Sequence, residues 1–128
     1  MRSNTKRLPR GAKLPRSVTI HGTRYQVVKV RGLKDAEGNP AYGCCEPDCT
    51  TIHIDSACPQ ERARTVLIHE VAHGAVEETG FGHLLRIAVK DESVCDHIEE
   101  DLIRRVIPAF LASVDEIRQA MPNGKNRK

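Results

Sequence analysis

The sequence lacks long apolar runs and is poor in aromatic residues. Its longest aliphatic stretches are three or four residues, such as residues 66–68, whereas a membrane-spanning helix needs about 20 apolar residues. The chain is therefore predicted not to cross a membrane. Only 3% of the residues are aromatic and tryptophan is absent, so a modest core must come from Val, Ile, Leu and Ala. Residues 1–16 are basic, but no apolar segment of a secretory signal follows them, and we expect a cytoplasmic protein.

An even set of cysteines is also missing. The five cysteines exclude a fully disulfide-paired framework, and without an export signal we expect free thiols in a reducing compartment. Cys44, Cys45 and Cys49 lie close together, but their spacing matches neither a Cys-x-x-Cys pair nor a zinc ribbon. We favour buried or incidental thiols, together with Cys58 and Cys95, over a second, structural zinc site.

Acidic residues are absent from the first part of the chain. Residues 1–34 contain ten Lys or Arg and no Asp or Glu, whereas residues 35–128 contain ten Lys or Arg against 17 acids, which gives charges of +10 and −7. This distribution is typical of a basic arm joined to an acidic body. We expect residues 1–16 to form a flexible arm that contacts nucleic acid without sequence preference, binds an acidic partner or only adds solubility.

The pattern of apolar residues predicts a folded domain over residues 17–120, followed by a disordered basic tail over residues 121–128. Alternating apolar residues predict a β-hairpin over residues 18–30. Residues 31–43 are rich in Gly and Pro and are expected to form a loop. The β-branched run at residues 50–54 predicts a short strand.

Helical periodicity dominates the rest of the domain. A first helix is predicted from Pro59 to Thr79, because Pro suits a first helical turn and glycines follow the segment. Residues 80–91 are expected to be a connector. A second long helix is predicted over residues 92–119, with a kink or local break at Pro108. The expected fold class is therefore α+β, with a small antiparallel sheet followed by two long helices packed on one face.

The most informative motif is His69-Glu70-x-x-His73, in the middle of the first helix. Two histidines four residues apart differ by about 40° around a helix, so both imidazoles face the same side. Such a pair can bind one Zn²⁺ at about 2.0–2.1 Å. Glu70 projects beside this stripe, where its carboxylate can accept a proton from a water activated by the metal. The motif therefore predicts a zinc site with Glu70 as general base.

A catalytic zinc site needs a third protein ligand and an open position. The zincins that take a third His six residues after the second are disfavoured, because Thr79 occupies that position. The other zincins take a Glu from the next helix. Glu99 lies in the middle of the apolar face of that helix and Glu100 about 100° away at its flank. We expect Glu99 to be the ligand, with Glu100 as the alternative and a ligand elsewhere left open.

Several segments match a known pattern: the hairpin at residues 18–27, Gly43 to Cys45, residues 51–55, 60–62 and 65–73, and the stretch from Glu99 to Pro108. Together they resemble the compact metallopeptidase-like proteins of phage and prophage genomes, small relatives of thermolysin-type gluzincins. The resemblance spans roughly residues 17–115, and HExxH is its only sharp motif. It implies zinc on His69, His73 and the helix glutamate. It also implies an edge strand at residues 50–54, to which an extended peptide substrate adds as a further strand.

The leading hypothesis is a zinc-dependent metallopeptidase that hydrolyses a peptide bond in a peptide or protein substrate. His83 and His97 are candidates for stabilising the oxyanion, and Tyr42 is a lesser one. Tyr25 is expected in the core and His53 on the surface. The alternative is a non-catalytic, zinc-stabilised binding module whose basic arm contacts nucleic acid or an acidic partner. A third interpretation is a phage-encoded factor that processes one host or virion protein.

Overall fold

The computed structural model describes residues 13–121, which contain one four-stranded sheet and several helices. The strands are β1 (Ser17–Ile20), β2 (Thr23–Val30), β3 (Gly43–Glu46) and β4 (Thr51–Asp55). Their order in the sheet is β1-β2-β4-β3. The chain is therefore an α+β protein, as the sequence predicts.

The predicted hairpin at residues 18–30 is confirmed. β1 and β2 pair antiparallel, with Ile20 opposite Thr23. The connection consists of His21 and Gly22, whose φ angles are 49° and 88°. Positive φ at both central residues is the geometry that lets a two-residue turn follow the twist of its strands, and Gly22 adopts it without a steric penalty.

The expected antiparallel sheet is wrong in one pairing, because β2 and β4 run parallel. A parallel pair needs a connection of about a dozen residues or more, and residues 31–50 provide it. Part of this connection is β3, a strand that the sequence analysis did not predict, and it pairs antiparallel with β4. β4 is consequently internal, so the expectation of an edge strand at residues 50–54 is also wrong. The edge on this side of the sheet is β3.

Both predicted long helices are confirmed. The first, α1, spans Gln60–Glu78, and Gly80 follows it at φ 80°. The second is continuous from Glu92 to Ala120, with α3 at Glu92–Asp101 and α4 at Ile107–Ala120. The predicted connector is wrong in detail, because it contains α2 at Phe81–Ala88. Gly80 and Gly82, at the start of the connector, predicted a break in helical structure. In the structure Gly80 lies directly before α2, and Gly82 lies within it.

A π-helical turn at Leu102–Val106 joins α3 to α4. The N–H of Ile107 donates to the carbonyl of Leu102, five residues earlier. Pro108 follows directly and has no N–H for the carbonyl of Arg104, so a regular α-helical pattern cannot continue through this point. The local break expected at Pro108 therefore takes the form of a π turn just before it.

The core lies between the sheet and α1. Its buried cluster consists of Ile20, Tyr25, Ile52, Ile54 and Leu67. The hydroxyl of Tyr25 donates to Glu78 at the end of α1 over 2.6 Å, so the expectation of Tyr25 in the core is confirmed. This packing fixes the orientation of α1 on the sheet.

The ends of the chain are only partly described. Of the predicted basic arm, residues 1–12 lie outside the described part, and so do residues 122–128 of the predicted tail. Leu14 packs against the core cluster, and the carbonyl of Arg16 accepts a hydrogen bond of 2.8 Å from the N–H of Val27. Within residues 13–121, none of the helices combines the length and apolarity needed to cross a bilayer.

Candidate metal centre

α1 places both motif histidines on one side of the helix. The ring centroids of His69 and His73 are 5.0 Å apart, as the four-residue spacing predicts. Both side chains are largely buried, with exposed fractions of 29% and 22%. The same helix buries Leu67 and Gly74 against the sheet, so core packing sets the direction in which the imidazoles point.

α3 brings two carboxylates to these histidines. Glu100 lies 3.1 Å from Nε2 of His73 and 3.9 Å from Nε2 of His69. One ligand atom from each of these three residues falls within 4.8 Å of the other two. Two imidazoles and a carboxylate are a donor set that zinc accepts in a four-coordinate site, with one position left open. The residues present therefore fit a zinc ion.

Glu99 occupies a different position, although it is the ligand that the sequence favours. Its side chain is more buried than that of Glu100, with 16% against 42% exposed, as the apolar-face argument predicts. However, its carboxylate lies 2.7 Å from Nδ1 of His73, on the opposite edge of the ring from Glu100. A carboxylate in this position orients a metal-binding histidine. The geometry thus favours the alternative ligand, Glu100.

The general-base candidate, Glu70, lies under β3. Burial raises the pKa of its carboxyl group, while nearby His73 and a hydrogen bond from the backbone N–H of Cys45 act in the opposite direction. A Cβ added at Gly43 would lie 2.9 Å from Cγ and 3.0 Å from Oε2 of Glu70. Only a glycine at position 43 lets the edge strand approach the carboxylate this closely. Gly43 is therefore the feature of the sequence that could have indicated this contact.

Electrostatics favour the metal-binding protonation states of two candidate ligands, His69 and Glu100. Burial and the neighbouring His73 lower the pKa of His69, which keeps its imidazole neutral. Burial alone would raise the pKa of Glu100, but the hydrogen bond from Arg104 and the two histidines bring it below its ordinary value. Glu100 is therefore an anion facing two imidazoles.

Two clefts open beside this group. One has a volume of about 540 Å³ and includes His83 and Arg86 of α2 in its lining. The other has a volume of about 300 Å³, and its walls include Cys44 and Cys45 of β3. Both clefts reach His73 and Glu99.

The other candidate residues lie in different surroundings. His83 lines the larger cleft, whereas His97 is 81% exposed and lies 3.9 Å from Asp101. The ring of Tyr42 packs under the guanidinium of Arg62 at 5.4 Å. His53 on β4 lies 3.6 Å from Glu46. Of these residues, only His83 borders the clefts described above.

The cysteines do not assemble a further ligand group within residues 13–121. Cys44 and Cys45 face the smaller cleft, and burial together with nearby Glu70 raises the pKa of Cys45 to about 12. Cys95 is buried and its thiol donates to the carbonyl of Val89. Cys49 is exposed. The raised pKa favours the protonated form of the Cys45 thiol.

Sequence reasoning missed the contribution of α2 to this region. Arg86 contacts the acidic face of α3, and Gly82 allows α2 to approach α1, since a Cβ there would lie 3.2 Å from Val76. The mostly apolar segment at residues 84–88 could have indicated a helix, but the two neighbouring glycines led the sequence analysis to expect a connector.

Comparison with known proteins finds no matching family model, no significantly similar curated protein and no significantly similar solved structure.

Proposed function

We propose that this chain is a zinc-dependent metallopeptidase. The observation that carries the proposal is the convergence of His69, His73 and Glu100 beside the buried carboxyl group of Glu70. A zinc ion held by the three ligands would supply a Lewis acid that polarises a peptide carbonyl and lowers the pKa of water. The donor set leaves room for both roles, since three protein ligands do not fill a tetrahedral site.

Glu70 supplies the proton transfers in this proposal. Peptide hydrolysis requires a group that removes a proton from the attacking water and returns one to the leaving amine. Burial raises the pKa of Glu70 toward the working pH, which suits a carboxylate that must both accept and release a proton. The N–H of Cys45 holds the carboxylate in place.

The substrate class follows from the neighbouring strand. β3 is an edge strand, and it carries Gly43 directly over Glu70. An extended peptide that pairs with β3 would lie beside the buried carboxylate, with main-chain hydrogen bonds providing most of its affinity. We therefore propose an extended peptide or an unfolded segment of a protein as the substrate, bound along β3 instead of β4.

The test compares zinc-loaded wild type with Glu70→Gln on an unstructured peptide library, with cleavage followed by mass spectrometry. The variant should bind zinc with the same stoichiometry and lose at least about 100-fold in cleavage rate, because it cannot transfer a proton. The matched control is Glu61→Gln, an exposed glutamate in the first turn of the same helix, which should cleave at the wild-type rate.

The same preparations identify the third ligand by metal analysis. Glu100→Gln should lose most of its bound zinc, whereas Glu99→Gln should retain zinc with weaker affinity, because only Glu100 faces both histidines. Undiminished turnover in Glu70→Gln would overturn the assigned base. Zinc binding without cleavage of any peptide by the wild type would favour the non-catalytic binding module instead.

A further inference from the structure

Arg86 of α2 donates hydrogen bonds to two acidic residues of α3 and lies within ion-pair distance of a third on the same face. Its Nε lies 2.8 Å from Glu92, its Nη2 lies 2.9 Å from Asp96, and its Nη1 lies 4.0 Å from Glu99. Nη1 also donates to the carbonyl of Gly82 over 3.1 Å. The planar guanidinium holds several acceptors in a fixed arrangement, so Arg86 sets the position of α3 relative to α2.

Glu99 links this arginine to the candidate metal centre. Its Oε1 faces Arg86, and its Oε2 lies 2.7 Å from Nδ1 of His73. An ionised carboxylate only accepts hydrogen bonds, so the contact requires the proton of the neutral imidazole to be on Nδ1. Nε2 is then the unprotonated nitrogen, and it is the atom that faces Glu100 at 3.1 Å.

We propose that Arg86 is a positioning residue, which holds Glu99 against Nδ1 of His73 and so fixes the ring orientation and tautomer that make Nε2 the metal-binding atom. This inference deepens the proposed zinc site and rests on it for the affinity measurement. It concerns α2, an element that contributes no residue to the HExxH motif and contains neither Glu99 nor Glu100.

A purely structural role for Arg86 is the competing explanation. Its contacts with Glu92 and Asp96 involve side chains that are 68% and 65% exposed, and exposed ion pairs contribute little to folding stability. Glu99 is the most buried of its three acidic partners. The consequence of removing the guanidinium should therefore be concentrated at Glu99 and His73 instead of spread over the whole fold.

The first measurement is the zinc affinity of wild type, Arg86→Gln and Glu99→Gln, determined by competition with a chromogenic chelator. Loss of a residue that orients a metal-binding histidine costs about 10- to 100-fold in affinity. We expect Glu99→Gln to lie within this range, and Arg86→Gln near its lower end, because Arg86 acts through Glu99. In the Glu99→Gln background, Arg86→Gln should change the affinity by less than about twofold.

The second measurement needs no metal. Long-range ¹H–¹⁵N spectra of the metal-free protein, recorded at about pH 9, well above the ordinary pKa of histidine, distinguish the two neutral tautomers of His73. Wild type should show the Nδ1–H form, and Arg86→Gln should show a mixture. Arg86→Lys should restore the Nδ1–H form in part, because it keeps the charge without the planar fork. The control is Arg105→Gln, an 80% exposed arginine whose partner is Asp101, which should match the wild type in both measurements.

The outcomes separate this inference from the proposed function. An unchanged tautomer together with wild-type zinc affinity in Arg86→Gln would overturn the positioning role and leave the zinc site intact. Additive losses in the double variant would also overturn it. If the wild type bound no zinc, the proposed function would fail, and the tautomer spectra would still decide the role of Arg86. Should Arg86→Gln fail to fold, Arg86→Lys carries the same comparison.

Discussion

α1 and α4 differ in how they are held. α1 buries Ala63, Leu67, Glu70, Gly74 and Val76, whereas α4 contains no buried residue. The histidine half of the candidate site lies on the helix that packs against the sheet, whereas the carboxylate half lies on α3, which buries Cys95 and carries the ion pairs with Arg86. The packing of α1 on the sheet therefore places the imidazoles, whereas the two carboxylates also have side-chain contacts with Arg86 and Arg104 that single substitutions can remove.

The largest expected effect tests the core side of this comparison. Ile52 is fully buried, with 0% of its surface exposed, and Ile117 on α4 is 57% exposed. Ile52→Ala should lower the free energy of unfolding by about 3 kcal/mol, because it removes buried methylene groups and leaves a cavity. The measurement is urea denaturation followed by circular dichroism.

The matched control is the same substitution on α4. Ile117→Ala should change the free energy of unfolding by less than about 0.5 kcal/mol, since exposed positions contribute little. A large loss at Ile117 would show that α4 is covered by another surface in solution, and the contrast between the two helices would then disappear.

An intermediate effect is expected where β3 meets α1. Gly43→Ala would place a Cβ 2.7 Å from Val66 and 2.9 Å from Cγ of Glu70, so the strand and the helix must separate. We expect a loss of about 1–3 kcal/mol in unfolding free energy, the usual cost of overpacking, and a lower rate of peptide cleavage.

Cys44→Ala is the control on the same strand, because it adds no atom. It should retain wild-type cleavage and nearly wild-type stability. If Gly43→Ala kept full stability and full activity, the close approach of the strand to Glu70 would not matter to the site.

The smallest effect concerns pH. Hydrogen bonds from Tyr25 and Thr23 lower the pKa of Glu78 at the end of α1. A folded-state pKa below the unfolded value means that this contribution to stability is present at neutral pH and is lost as the pH falls through the folded pKa, below about 4.3. The stability difference between wild type and Glu78→Gln should therefore shrink on acidification.

Glu116→Gln on α4 provides the comparison for this prediction. Glu116 is exposed, so its substitution should leave the unfolding free energy nearly unchanged at both ends of the pH series. A difference for Glu78→Gln that stayed constant with pH would contradict the assigned cause of the pKa shift.

Sequence periodicity predicted α1 and the common face of His69 and His73, because both depend only on the geometry of one helix. It did not predict the parallel pairing of β2 with β4, which depends on contacts between segments far apart in sequence. It also favoured Glu99 by equating a core-facing carboxylate with a ligand. Glu99 and Glu100 lie about 100° apart around α3, and Arg86, which faces only Glu99 of the two, belongs to α2, a helix that the sequence reasoning did not identify.

The π turn has a consequence for how this protein can change. An α-helix advances by about 100° per residue, and the wider turn at Leu102–Val106 offsets α3 from α4. Deleting or inserting one residue between the two helices would rotate Glu99 and Glu100 around the helix axis relative to α4, even though the residues of both helices stayed the same. In this stretch the number of residues, as much as their identity, is under constraint.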